Sequence, residues 1–360
     1  MEILKFQNET SERSEPYNWV KAEVSTLKDF YFAGFEGCNE NSSNLVTAMM
    51  DRAVIEFSGD PNENPLEKSV LEHIVKKEGR SLQGKINFCR RLNIPYTYIL
   101  YCYDPELVLR YEITENSCKL RERYCSFKKF SEWIMTIKGW KSNKAYEKKE
   151  DLPAFDNALR KAGCPWPTNI DCIAFSSDNQ PVAIIEYQNT ENENVSEHFN
   201  NYYYLSHHKR EGDDYRNTGL DEQRWKSQEL LRLQSLLPHF TIVWSKNEDV
   251  TIVKVLDEVV FPNYNYETSE DRQKYIKDLD SYAEKLKTRP KLWKNDQYQI
   301  MRKNYSSYQF RFDSGLIKRE NHSAPLDLDK KTFPFLYGKR LITVKKGEVK
   351  EYMYNLLSSL

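Results

Sequence analysis

Two apolar β-runs at residues 170–176 and 181–188, IDCIAFS and PVAIIEYQ, constrain this chain more than any other feature. The turn-forming triplet Asp178-Asn179-Gln180 joins them, so they read as a β-hairpin. Val182, Ala183, Ile184 and Ile185 run without alternation, the pattern of a strand covered on both faces. Yet Asp171 opens the first strand, and the second ends on Glu186-Tyr187-Gln188. Side chains alternate along a strand, so Glu186 and Gln188 share one side. Tyr187 takes the other, where it is expected to pack beneath the following helix. In such a hairpin Glu186 comes close to Asp171. Two converging carboxylates are costly unless a cation lies between them. Oxygen-only ligands at a sheet end suit Mg²⁺, with Mn²⁺ as a substitute.

The flanking segments complete an α/β unit over residues 150–262. A short helix, LPAFDNALRKAG, is stopped by Gly163 and Pro165. A polar stretch follows the hairpin, and then DEQRWKSQELLRLQSLL reads as an amphipathic helix ended by Pro238. Trp225, Leu230, Leu233, Leu236 and Leu237 are expected to line its apolar side. Two strands, FTIVWSK and VTIVKVLDEVV, close the unit.

Residues 1–145 form an N-terminal α/β region with a similar skeleton. A strand, DRAVIEFSG, precedes a helical stretch over 65–93 broken near Gly79; two strands, PYTYILYCY and ELVLRYEI, and a helix around FKKFSEWIMTIKGW follow. RAVIEFSG resembles VAIIEYQN, which matches Glu56 to Glu186. An internal duplication and a merely shared α/β pattern both give this likeness. Asp51 and Glu56 face opposite ways on one strand, and Ser58 stands where the other copy has Gln188, so the copy reads as structural or degenerate. Residues 263–360, with a helix over 269–288 and short aromatic-basic segments, form a basic α+β region.

Asp171 after Pro167-Thr168-Asn169-Ile170, the Glu186-Tyr187-Gln188 triplet and the order helix, strand, strand, helix, strand resemble the PD-(D/E)XK, or restriction-endonuclease-like, nuclease superfamily. The likeness spans about 150–262 and departs in two places. The proline lies four residues before Asp171, and Gln188 stands at the motif lysine. The resemblance implies an α/β fold with a mixed sheet flanked by helices. It implies Mg²⁺-dependent hydrolysis of phosphodiesters in DNA rather than RNA, in the manner of a restriction or phage-defence endonuclease. Asp171 and Glu186 would hold the metal, and Gln188 would orient the attacking water. Because Gln188 supplies no charge, Lys226 or Lys209 is a candidate for the lysine's role, and a catalytically silent binding or assembly module is the alternative. Arg224 and Gln228, four apart on a helix, share a face and are candidates to meet the phosphate; a solvated polar face is the simpler account of each alone. Lys209, Arg210 and Arg216 fall in HFNNYYYLSHHKREGDDYR, expected to be a substrate-facing loop.

Charge points to the same kind of partner. From Asp271 onward there are 20 Lys+Arg against 11 Asp+Glu, whereas the preceding residues carry 33 against 43. A basic end on an acidic body suits a polyanion such as nucleic acid. No apolar run is long enough to span a membrane, and neither a leader nor a C-x-x-C is present; the seven cysteines read as reduced thiols. A cytoplasmic protein is expected, and a homo-oligomer is compatible with the sequence. Phosphate-binding, dinucleotide and nucleophile-elbow glycine motifs are missing.

Overall fold

The computed structural model describes residues 4–7, 18–41, 45–57, 65–142, 146–150, 152–165, 167–189, 195, 208–211, 214–217, 227–228, 230–232, 234–246, 249–259 and 337–360. The protein is mixed α/β and divides into two compact units. The first comprises Met1–Glu15 with Lys28–Pro181, the second Pro16–Leu27 with Val182–Leu360.

The first unit has a mixed sheet. In chain order its strands are β1 (Leu4–Gln7), β2 (Phe30–Glu40), β3 (Val46–Phe57), β4 (Tyr96–Tyr103), β5 (Glu106–Ile113), β6 (Cys118–Tyr124) and β7 (Thr168–Ser176). The order across the sheet is β7-β2-β3-β4-β5-β6, with β1 paired to the far half of β3. Only β3 and β4 run parallel, and the chain between them forms α2 (Glu67–Glu78) and α3 (Ser81–Arg91). Gly79 at φ 54 breaks the two helices apart, in the left-handed range where a side chain is disfavoured. Helices cover both faces, which is why β4 is buried along nearly its whole length. On one face α3 lies over β2 and β4. On the other, α4 (Phe127–Lys138) and α5 (Ala154–Lys161) enclose a core of Val54, Ile99, Tyr101, Phe130 and Phe155. The side chain of Ser126 caps α4 at its start, and Gly139 ends it in the left-handed conformation. Its last turn is tied down by a buried ion pair, Lys138 to Glu40, at 2.7 Å.

β2 shows why it escapes a sequence pattern. Its eleven residues include Gly34 and Gly37, and its register against β7 slips twice. Ala33 pairs with Ile173 and Phe35 with Ile170, so Gly34 alone faces Asp171 and Cys172. That is a β-bulge, which re-aims the bulged residue. A Cβ on Gly34 would lie 2.5 Å from the Asp171 carbonyl oxygen and 2.6 Å from that of Ile170. Glycine at this position is what lets the bulge close against β2.

The second unit is smaller in its described part. β8 (Pro181–Asn189) pairs parallel with β11 (His239–Trp244). β11 pairs antiparallel with β12 (Val250–Val259), and β12 with β13 (Tyr337–Lys345). A separate hairpin joins β9 (His208–Glu211) to β10 (Asp214–Asn217). Helix α6 is helical at 227, 228, 230–232, 234 and 235, and Leu236 follows at φ 56. Leu230, Leu231 and Leu237 are buried, but Leu236 is 67 % exposed because this left-handed turn throws it outward. Trp225 and Leu233 lie outside the described residues. Helix α1 (Asn18–Val24) packs with α7 (Val349–Ser358), whose Val349, Met353 and Leu357 are buried. The end of the chain is therefore part of this unit's core. All of 263–336, including the expected helix at 269–288, lies outside the described residues, and no described helix is long and apolar enough to cross a membrane.

Gly34→Ala is expected to destabilise the protein by about 1–3 kcal/mol, the usual result of forcing a methyl against backbone that cannot yield. Urea unfolding of the variant checks this; an unchanged midpoint would mean the bulge relaxes freely.

Candidate functional site

β8 and β11 are in register from Ile184 opposite His239, which sets Glu186 opposite Thr241 and Gln188 opposite Val243. Glu186 is only 1 % exposed. It accepts a hydrogen bond at 2.7 Å from the Gln228 amide nitrogen, delivered by α6. Gln228 is itself buried, so the simpler expectation of a solvated polar face does not hold for it. This bond also places α6 over the Glu186 side of β8. Tyr187 is buried, but on the side away from α6, contrary to the expectation that it lies under that helix.

The surroundings of Glu186 are rich in oxygen. The side-chain oxygens of Gln188, Gln228 and Thr241 are buried without a hydrogen-bond partner among the described residues. Buried polar atoms are normally paired, so a cluster left open beside a carboxylate is the pattern of a place for a water or a hard cation. A carboxylate, amide oxygens and a hydroxyl suit Mg²⁺ or Mn²⁺ in kind, and the buried imidazole of His239 lies on the same face two residues before Thr241. Among the described residues no three of His, Cys, Asp and Glu converge.

The other expected site residues are distributed as follows. Asp171 sits half-buried at the β7 bulge. Lys209, Arg210 and Arg216 lie on strands rather than in a loop, with Lys209 directly opposite Arg216 and Arg210 opposite Tyr215. Arg224 and Lys226 lie outside the described residues.

The first unit holds a polar cluster that the sequence pattern did not reveal. Asp51 of β3 is buried and receives the Lys85 ammonium from α3 at 2.9 Å and the Tyr96 hydroxyl at 2.7 Å. Lys85 also meets Glu78, the last residue of α2, at 2.7 Å, and Tyr98 donates to the same carboxylate at 3.0 Å. The backbone N–H of Glu36 completes the shell of Asp51 at 3.2 Å. Every member has a partner. Glu78 and Lys85 lie on separate helices, so no helix spacing pairs them, and their meeting with Asp51 is set by packing on a strand far away in sequence. Arg52, next along β3, points to the opposite face and forms a two-pronged pair with Asp156 at 2.6 and 2.9 Å.

One ammonium shared by two buried carboxylates leaves an excess negative charge. Burial pushes the Asp51 carboxyl up to about 6; the Lys85 charge pulls it down and Glu78 adds to the rise. Burial also raises Glu78, but the Lys85 ammonium outweighs it and the result lies below the ordinary value. For Lys85, burial acts to lower the pKa, and the two carboxylates overcome it. The last proton is therefore held on Asp51.

Between the ordinary carboxylate value of 3.8 and about 6, folded Asp51 binds a proton that the unfolded chain has released. Its contribution to stability must then fall as pH rises through that window. Asp51→Asn is expected to flatten this slope, as read from urea unfolding across the window. Lys85→Met is expected to cost about 3–5 kcal/mol at neutral pH, because it leaves two carboxylates buried without their cation. A Lys85→Met protein as stable as the parent would show that the cluster is solvated after all. No protein-family model, curated protein or solved structure matches this chain; the chemistry of the site stands on its own residues.

Proposed function

We propose that this chain is a metal-dependent nuclease whose reaction centre includes Glu186. The observation that carries this reading is the buried Glu186 carboxylate, with the oxygens of Gln188, Gln228 and Thr241 left open beside it. The PD-(D/E)XK-like motif, to which Asp171 also belongs, supports it from the sequence side. A bound Mg²⁺ would supply Lewis acidity toward the phosphate and lower the pKa of a water. The chain's own contribution is positional. Gln228 fixes one carboxylate oxygen of Glu186 through its amide. Gln188 presents an amide that can orient a water on the same side of the strand. Lys209 and Arg216, opposite each other on the β9–β10 hairpin, put two basic residues within one cross-strand step, suited to a phosphate backbone. DNA is the proposed substrate, with defence against foreign DNA as the setting and the cytoplasm as the place.

The neutral amides at 188 and 228 favour one second reading, a silent module that binds nucleic acid without cutting it. Incubation of the purified chain with supercoiled DNA, linear DNA and RNA, with Mg²⁺ or Mn²⁺ and with chelator, separates the two. Metal-dependent cleavage is expected. Glu186→Gln is expected to lower it by roughly a hundredfold or more, as loss of a metal-bound carboxylate does, with an unchanged circular dichroism spectrum. Asp171→Ala is expected to behave alike. Binding without cleavage by the parent protein would establish the silent module.

The basic residues after Asp271 carry a second prediction. Nucleic-acid affinity is expected to fall with salt on a log–log slope of roughly −3 or steeper, from counterion release. Replacing Lys274, Lys277, Lys285 and Lys287 with Gln should make the slope shallower. These positions avoid β13 and α7, whose loss would disturb the second unit's core. An unchanged slope would remove this segment from the binding surface.

A further inference from the structure

Between α4 and α5 the chain passes through 139–142 and 146–150 without helix or strand, yet its backbone is pinned in two places. Ser142 donates its N–H to the Gly163 carbonyl at 3.0 Å, just past the end of α5. Lys149 donates its N–H to the Asn157 side-chain oxygen at 3.0 Å, and the Asn157 amide nitrogen donates to the Lys149 carbonyl at 2.8 Å. The stretch therefore runs back along α5, with the buried Asn157 as its anchor. The Lys141 side chain lies against Gly163, where an added Cβ would come within 2.7 Å of the lysine Cε. Arg160 and Lys161, exposed at the end of α5, directly precede that turn.

What the pinned backbone presents outward is aromatic and basic. Trp140 is 44 % exposed and Tyr146 is 43 % exposed. Single exposed aromatics are ordinary on a surface, but these two share one anchored segment with a group of cations. Lys141, Lys148 and Lys149 come from the segment itself, and Arg160 and Lys161 from α5. None of the five forms an ion pair among the described residues, whereas Arg52, Arg110, Arg121 and Lys138 of the same unit all do. The acids nearest in sequence are Glu147 and Glu150, both exposed, and Asp156, which is engaged by Arg52. The negative end of the α5 dipole accounts for Arg160 and Lys161; it does not account for the lysines off the helix.

We propose that this face of the first unit binds single-stranded nucleic acid. Cations that no carboxylate neutralises suit phosphates, and exposed rings are platforms for bases. The rings select the strand state. Bases in a duplex are already stacked on one another, so Trp140 and Tyr146 gain contacts only from unpaired ones. Anchoring the backbone beforehand lowers the ordering cost of presenting the rings. This surface draws on neither Glu186 nor a metal, and it goes beyond the nuclease reading by naming single strands as a partner.

Fluorescence anisotropy on the full chain, with a labelled single-stranded oligonucleotide and with its duplex and no divalent metal, tests the proposal. Trp140→Ala with Tyr146→Ala is expected to weaken single-strand binding at least about tenfold and duplex binding less than about twofold, since stacking is lost only with unpaired bases. Tyr146→Phe keeps a ring and is expected to bind as the parent does. Lys141→Gln with Lys148→Gln is expected to make the log–log salt slope for the single strand shallower by roughly one. Any affinity of the residues after Asp271 is common to parent and variants and cancels. Urea midpoints check folding, and Tyr146→Ala alone, expected to cost about fivefold, decides should the alanine pair fail to fold. Unchanged single-strand affinity in the folded alanine variant, equal losses for single strand and duplex, or an unchanged slope in the lysine variant overturns the proposal. So does a parent protein that binds no single strand. Cleavage plays no part in the measurement, so its failure leaves the reading of Glu186 standing.

Discussion

A carboxylate buried in the middle of a sheet must be answered by a donor from the layer above, and that requirement organises both units. The strand bearing Asp51 or Glu186 is covered by a helix, so water cannot satisfy the acid. The donor has to come from that helix at a fixed height. Lys85 and Gln228 meet it from the same distance before a proline that ends the connection. The proline, which cannot continue a helix, fixes where the next strand begins. That strand's first pair then fixes which residue stands beside the acid. Helix, turn and parallel strand are therefore set together, and a slip of one residue would strand the carboxylate on the wrong face.

Much of this architecture was legible in the sequence, because much of it is local. The helices around Gly79, the capped α4, the short α5 and strands β4, β5, β7, β8, β11 and β12 all announce themselves through periodicity and turn residues. What escaped is what non-local pairing decides. β2 is interrupted by Gly34 and Gly37 and becomes a strand because β3 and β7 flank it. The match of RAVIEFSG to VAIIEYQN followed apolar composition and paired Glu56 with Glu186. The strand register instead makes Asp51 the counterpart, five residues earlier. Apolar runs look alike wherever both faces are buried; only the partner strand distinguishes one phase from another. For the same reason Gln228 passed for part of a solvated face. Its burial depends on Glu186, forty-two residues away.

The two answers to the buried acid differ in what they leave undone. The cluster of Asp51, Glu78, Lys85, Tyr96 and Tyr98 has its donors and acceptors matched, and Asp51 is the member that takes up a proton below about pH 6. Such a network specifies how α2, α3 and the sheet fit together, and it has no capacity left for a ligand. In the Glu186 cluster the side-chain oxygens of Gln188, Gln228 and Thr241 have no hydrogen-bond partner among the described residues. A fold tolerates an unmet group of this kind where something binds to it, and otherwise selection tends to replace it with apolar packing. The first unit has an ion pair between its layers, and the second has an amide at the corresponding distance before its proline. The amide orients the acid by one hydrogen bond and brings no charge of its own. The two residues meet their acids from the same distance before a proline, and they differ in whether they bring a charge to it.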